Sequence, residues 1–316
     1  MSTAGFWSAA AGAGTGRGDE TWRALASVPS PARAAWRLGP LSVRAYALCI
    51  VAGIVVAVIV ARRRYRLAGG RPGVVLDVAA WAVPFGAAGA VVHAGLVAAR
   101  HDFTGTLRLW HAATAAAGTI GVPGAVALGA AGAWVACRRA GARLGPVAGA
   151  AAPAVLLGLA VAGLGNWWTQ QYYGPPSAWW WAVRISPEHR VPGYENYATF
   201  QPVFAYQSLW DAAVGLAVII AGRRLALDGQ RVLWLAAAGY AAGGLWAESA
   251  RIGPLPHALG VPYGTLRDTA VLALALISLY LARRGRSGRP ALPSRAGRKP
   301  GPAAVAGDSS GDVMSR

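Results

Sequence analysis

Polar residues able to do chemistry are few in this chain and gather at a handful of places. Asn166, Thr169, Gln170 and Gln171 stand together at the edge of a long apolar run. Glu248 and Arg251 are three residues apart and so share one helix face. Such a pair is either a structural ion pair that lowers the cost of burying both charges or a pair that contacts a charged headgroup. Tyr46 sits at the start of an apolar stretch, as an interfacial anchor or as a site hydroxyl. Asp211 follows Leu209-Trp210 near the start of another. The five histidines show no metal-ligand spacing such as H-E-x-x-H, so no metal site is expected. Cys49 and Cys137 lie in or beside apolar runs and are expected to be packed rather than paired.

The elements that hold these residues are apolar. Of 316 residues, 55% are hydrophobic and only 13% charged, which excludes a disordered chain and a disulfide scaffold. Apolar stretches of the length that spans a bilayer recur seven times. They lie near residues 45–61, 74–98, 115–136, 147–168, 208–221, 232–246 and 269–282, and the last three lengthen if a lone charge is tolerated. The net charge is +18, and every basic residue except Lys299 is an arginine. Their placement separates a nucleic-acid binder from a membrane protein. The loops after the first, third and fifth stretches hold 11 arginines, among them Arg62, Arg66, Arg138 and Arg223, against 6 in the opposite loops. By the positive-inside rule those three loops are cytoplasmic. The expectation is an all-α integral membrane protein with seven transmembrane helices, N-terminus outside and C-terminus cytoplasmic. Nucleic acid is not expected as a partner.

Around this membrane domain, residues 41–284, the sequence predicts a flexible lead over 1–40 and a disordered basic tail over 285–316, rich in Arg, Gly, Pro and Ser. The lead has no basic n-region or apolar core of a cleavable signal. The longest outer loop, 166–203, is rich in tryptophan and tyrosine. Trp179-Trp180-Trp181 fits an interfacial aromatic belt, but the polar cluster at 166–171 needs a partner such as a lipid headgroup.

Five stretches in order then resemble the bacterial prolipoprotein diacylglyceryl transferases, over most of the chain. These are VPSPARAAWRLGPLSVRAYALCI (Val28–Ile50), AAWAVPFGAAGAVVH (Ala79–His93), GLGNWWTQQYYG (Gly163–Gly174), FQPVFAYQSLWD (Phe200–Asp211) and GYAAGGLWAESAR (Gly239–Arg251). The third resembles the family signature G-R-x-G-N-F-x-N-x-E-x-x-G from its arginine onward. The last resembles G-Y-G-x-x-R-x-x-x-E-x-x-R. The resemblance implies a bacterial plasma-membrane enzyme that moves diacylglyceryl from phosphatidylglycerol to the thiol of a lipobox cysteine in a preprolipoprotein. Glycerol phosphate leaves, and no cofactor takes part. It implies Tyr46, Asn166, Glu248 and Arg251 as catalytic residues, with Gln171, Gln201 and Tyr206 binding substrate.

The departures from that pattern fall on the chemistry. Gly163, Gly244 and Val91 stand where the family has arginines, Thr169 where it has asparagine, and Gln171 and Gln207 where it has glutamates. Gln201 stands for a histidine. An active transferase with a rewired phosphate site and a degenerate relative that binds lipid or lipobox peptide without turnover are both open. A transporter or channel would place polar residues through the middles of several helices, and the middles here are Ala, Val, Leu and Gly. Glycine at 163 and 244 is expected to leave room for restored arginines.

Overall fold

Long runs of alanine, valine and leucine leave the backbone no polar partner but itself, and in an apolar medium the helix is the local solution. The computed structural model describes residues 27–31, 33–38, 41–99, 121–253, 257–258 and 260–287. Among them are seven long helices: α1 (Ala45–Leu67), α2 (Val74–Ala99), α3 (Val122–Arg139), α4 (Leu144–Gly163), α6 (Val203–Arg224), α7 (Gly229–Ala250) and α8 (Tyr263–Ser287). A single-turn helix, α5 (Asn166–Thr169), follows α4. Five of the helices are long and apolar enough to cross a membrane: α1, α2, α4 (continued through Thr169), α6 and α8. The molecule is thus a mostly helical protein of membrane-spanning character.

Each apolar stretch read from the sequence falls on one of the long helices, and most observed ends extend further; the fourth, read through residue 168, instead breaks after Gly163 and resumes as the single turn of α5. The extensions carry charge: α1 runs on through Arg62, Arg63, Arg64 and Arg66, and α7 takes in Glu248. Long arginine stems lie along apolar surface while their heads reach water, so charge need not end the helix. The start expected for the third stretch, at residue 115, lies outside the described residues. So do Arg100, Arg108, residues 1–26 of the lead and the tail from 288. Asp77 sits in the first turn of α2, where a carboxylate faces the positive end of the helix dipole.

Helices meet where glycine removes the side chain, a common packing device in membranes. A Cβ on Gly53 of α1 would strike the carbonyl of Gly158 on α4, and one on Gly158 the carbonyl of Gly53. Gly89 and Gly124 join α2 to α3 in the same reciprocal way, and Gly149 of α4 lies on Gly229 of α7. α4 contacts α1, α6 and α7, and so forms the middle of the bundle. The outer helices expose Val51, Val55 and Ile59 of α1, and Leu274, Ile277 and Leu281 of α8, to the surroundings. Stripes of that kind suit contact with lipid tails.

At one end the loops build a small cap of strands, each two to four residues long. β1 (Val28–Pro29) runs parallel to β4 (Val183–Arg184), and β4 pairs antiparallel with β5 (Thr199–Phe200), with Val183 opposite both Val28 and Phe200. β2 (Ala35–Leu38) and β3 (Leu41–Arg44) form a hairpin that leads into α1. β6 (His257–Ala258) and β7 (Val261–Pro262) form another that leads into α8. Strand pairing therefore reaches back to Val28, inside the segment read as the lead. Tyr173, Val183, Ile185, Phe200 and Phe204 form the cap's own core. At the opposite end the arginines bind helix termini: Arg64 donates to the carbonyls of Gly149 and Ala150, and Arg231 to that of Ala282.

The glycine contacts give a direct test. Gly53→Val should destabilise the bundle by about 1–3 kcal/mol, the usual cost of overpacking. Gly145→Ala, whose Cβ meets nothing within 4 Å, should leave the melting temperature in detergent unchanged or slightly raised.

Candidate headgroup site

The site starts from a break in the chain. α4 ends at Gly163, and the Asn166 side-chain amide donates to the Gly163 carbonyl at 2.9 Å, satisfying a terminal acceptor that the helix leaves open. Gly165 lies against the Tyr46 ring: a Cβ there would come within 2.7 Å of it. Tyr46 and Asn166 thus belong to one corner, where α1 begins and α4 ends.

Beyond this corner the backbone does something unusual. Gln170 (φ 51°) and Tyr172 (φ 63°) both adopt the left-handed region, which is uncommon for any residue but glycine and rarest for bulky ones. Each costs on the order of 1–2 kcal/mol unless its surroundings hold it. The Gln170 side-chain oxygen Oε1 accepts from both the Ser186 N–H (2.6 Å) and the Ser186 hydroxyl (2.8 Å). Tyr172 accepts from the Phe204 N–H and packs on Val203, Ala247 and Ala250. The result drives the Tyr172 ring under Arg251, whose guanidinium carbon lies 4.8 Å above the ring centre, within cation–π range.

Arg251 in turn pairs with Glu248 at 3.4 Å, and the carboxylate is only 8% exposed. Where Glu248 lies is decided by the neighbouring helix. A Cβ added to Gly264 of α8 would sit 2.7 Å from the Glu248 carboxyl group, and a Cβ on Gly244 of α7 would strike the Asp268 carboxylate. The contact is reciprocal: each helix offers a glycine to the other's carboxylate, with glycine and carboxylate four residues apart on both. Asp268 is fully buried, and Arg267 forks onto it with bonds of 2.7 and 2.9 Å. Burying the Tyr172 phenol pushes its pKa up to about 12. Arg251 and Arg267 act against that shift while Glu248 and Tyr240 add to it. Two cations, a carboxylate and a phenol therefore converge.

The remaining expected residues are distributed around this cluster. Gln201 is buried, its backbone carbonyl accepting from Gly174 beneath the cap. Tyr206 accepts a 2.7 Å bond from the Trp181 indole and lies beside Trp246. Gln171 is exposed. Asp211 is buried and accepts from Gln207 at 2.9 Å. The free space expected at Gly163 and Gly244 is not there. A Cβ on Gly163 would come within 2.5 Å of the Ser208 hydroxyl, and that on Gly244 falls on Asp268. The volumes beside these two glycines are filled by polar groups of neighbouring helices, Ser208 of α6 and Asp268 of α8. Tyr172, Arg267 and Asp268 escaped the sequence reading of the site. The readable signal was a glycine four residues ahead of a carboxylate at two places, Gly244-x-x-x-Glu248 and Gly264-x-x-x-Asp268.

Fold and site together define a polytopic helical protein with an ionic and aromatic cluster at one end of its bundle. Residues 33–283 match the family model described as prolipoprotein diacylglyceryl transferase. Relatives named phosphatidylglycerol–prolipoprotein diacylglyceryl transferase include one from Streptomyces avermitilis, 38% identical over 84% of this chain and 77% of its own length. Another, from Frankia alni, is 40% identical over 82% and 68%. A third, from Corynebacterium efficiens, is 38% identical over 83% and 84%. The chain belongs to the prolipoprotein diacylglyceryl transferase family.

The raised Tyr172 pKa has a measurable sign. The folded state keeps the phenol neutral where the unfolded chain, near pH 10, ionises it, so its contribution to stability is full below pH 10 and is lost as pH rises toward 12. Phenolate absorbance of wild type minus Tyr172→Phe should show a step near pH 12. A step near pH 10 would mean that the ring is solvated.

Proposed function

We propose that the protein transfers diacylglyceryl from phosphatidylglycerol to the cysteine thiol of a lipobox-containing preprolipoprotein, on the outer side of the bacterial plasma membrane. The single observation that best supports this is the convergence of Glu248, Arg251 and Arg267 on Tyr172 at the arginine-poor end of the bundle. In the proposed topology all seven long helices cross the membrane, the N-terminus is outside, and the C-terminus is cytoplasmic. The site then lies at headgroup level, with exposed Trp179 and Trp180 of the cap beside it. Membrane lipid reaches it laterally, and the secreted substrate from outside.

The chemistry is a displacement at carbon. The thiol loses its proton to a base, and the thiolate is the nucleophile. Its electron pair forms the C–S bond to the glyceryl carbon as the bond from that carbon to the phosphate oxygen breaks. The oxygen keeps the bonding pair, glycerol phosphate departs, and the proton ends on that phosphate or on water. No electron carrier or metal is required by this balance. In the proposed roles Glu248 takes the thiol proton, Arg251 faces the phosphate, and Tyr46 and Asn166 shape the corner where the glyceryl carbon is presented. Gln171, Gln201 and Tyr206 contact the substrates.

A degenerate lipid-binding relative is the other reading, favoured by the arginines missing at 91, 163 and 244. What weighs against it is the chemistry of the replacement. A site released from function is expected to close with apolar side chains, since burying charge is costly, whereas Ser208, Asp268 and Arg267 surround the vacated places here.

Complementation tests the proposal. Expressed in a strain depleted of its own transferase, the protein should restore growth and lipid-modified lipoprotein. Arg251→Ala, made and inserted normally, should lower transfer by about 10²–10³-fold, the usual loss for one preorganised donor at a developing charge. Failure of the wild type to modify any lipoprotein would contradict the proposal.

A further inference from the structure

We propose that Arg267, at the outer end of α8, supplies the cation missing at position 244 and binds the phosphate of phosphatidylglycerol. The inference rests on the transferase reading above and adds a residue to it.

Geometry comes first. The Asp268 carboxylate occupies the place beside Gly244 from which a side chain on α7 would project. Arg267 is held on it by two short bonds, through Nε and Nη2. A guanidinium has five N–H donors, and this fork uses one on each of two nitrogens. The Nη1–Nη2 edge keeps three donors, and no acceptor takes them among the described residues. That edge is the planar fork that binds phosphate in a bidentate way. Asp268 fixes its direction, so Asp268 is a positioning residue and Arg267 the binding one.

Electrostatics and unmet hydrogen bonds agree. Arg267 and Arg251 both act electrostatically on the Tyr172 hydroxyl, so charges from two helices meet around one ring. Tyr240 is within reach of Arg267, Asp268 and Asp211. Asp211 is bonded to Gln207, which brings α6 to the same region. There the Gln207 carbonyl oxygen and the Ser208 hydroxyl are buried with no hydrogen-bond partner among the described residues. Buried polar atoms of that kind point to an absent partner. Phosphatidylglycerol fits what is left over. Its phosphate accepts from Arg267, and from Ser208 as donor. Its glycerol hydroxyls donate to the Gln207 oxygen. During transfer the phosphodiester, which carries one negative charge, becomes a monoester that must hold the pair released from carbon. A cation already oriented there meets that added charge without rearrangement.

The experiment uses the full-length protein in vesicles of phosphatidylglycerol with a lipobox peptide. Removing Arg267 alone strands a buried carboxylate, so the principal variant is the double substitution Arg267→Gln/Asp268→Asn, with Arg267→Lys and Asp268→Asn beside it. Retention of phosphatidylglycerol against phosphatidylcholine is read by native mass spectrometry, and melting confirms folding. The double variant should transfer about 10²-fold more slowly or worse, and should lose its preference for phosphatidylglycerol at unchanged melting temperature. Arg267→Lys should recover part of both. Asp268→Asn should lower kcat more than it raises KM for phosphatidylglycerol, because the cation remains but is less well aimed. Transfer and lipid preference within about threefold of wild type in the double variant would overturn the role of Arg267 while leaving the transferase reading standing. If the wild type itself transfers nothing, that reading falls, and lipid preference alone decides for or against Arg267.

Discussion

Two carboxylates buried against glycines hold the site together. Glu248 lies on Gly264 and Asp268 on Gly244, so α7 and α8 can approach only because each lacks a side chain where the other brings a charge. Carboxylates removed from water need partners close by, since desolvation otherwise outweighs what they contribute. Arg251 and Arg267 are those partners, and both are placed by the same contact. Because the carboxylates cannot move without exposing or stranding charge, the guanidiniums are fixed as well. Tyr172 is then trapped beneath Arg251 in a backbone conformation that its neighbours must sustain.

The rest of the bundle serves this arrangement from a distance. Glycine contacts between α1 and α4, and between α4 and α7, put the ends of α1, α4, α6 and α7 at one level. The cap bridges those ends by main-chain bonds, Ile252 to Tyr173 and Gly174 to Gln201 among them. Aromatic packing under the cap, with Tyr173 against Phe200 at 4.9 Å, fixes the loop that carries Gln170 and Tyr172. Arginines at the other end bind helix termini instead, so the two ends of one molecule use the same residue type for different purposes.

Much of this was legible in the sequence. The seven apolar stretches fall on the seven long helices, five of which are long and apolar enough to cross a membrane, because a run of about 20 apolar residues has one low-energy form in a bilayer. The family was legible in GLGNWWTQQYYG and GYAAGGLWAESAR, where a break after a helix and a charged helix end recur in order. The ion pair of Glu248 and Arg251 followed from their spacing. The cap was not legible: strands of two residues have no period to detect, and their pairing joins Val28 to Val183 across the chain. Arg267 and Asp268 were hidden for a different reason. Just ahead of the last apolar stretch, Arg267 read as loop charge and counted only toward topology, and Asp268 carried no signal of its own. Their meaning depends on Gly244, more than twenty residues earlier, and on how closely two helices approach. The filled space at Gly163 and Gly244 was invisible likewise, since a glycine does not announce what occupies the volume beside it.

In the proposed function the cluster around Tyr172 receives a phosphatidylglycerol headgroup. A structure of the protein with phosphatidylglycerol bound tests it most directly. The phosphate should lie between the Arg251 and Arg267 guanidiniums, within hydrogen-bond distance of both, with the lipid tails leaving along the apolar flank of α8. A phosphate resolved on other residues, with Arg267 still closed only on Asp268, would contradict it.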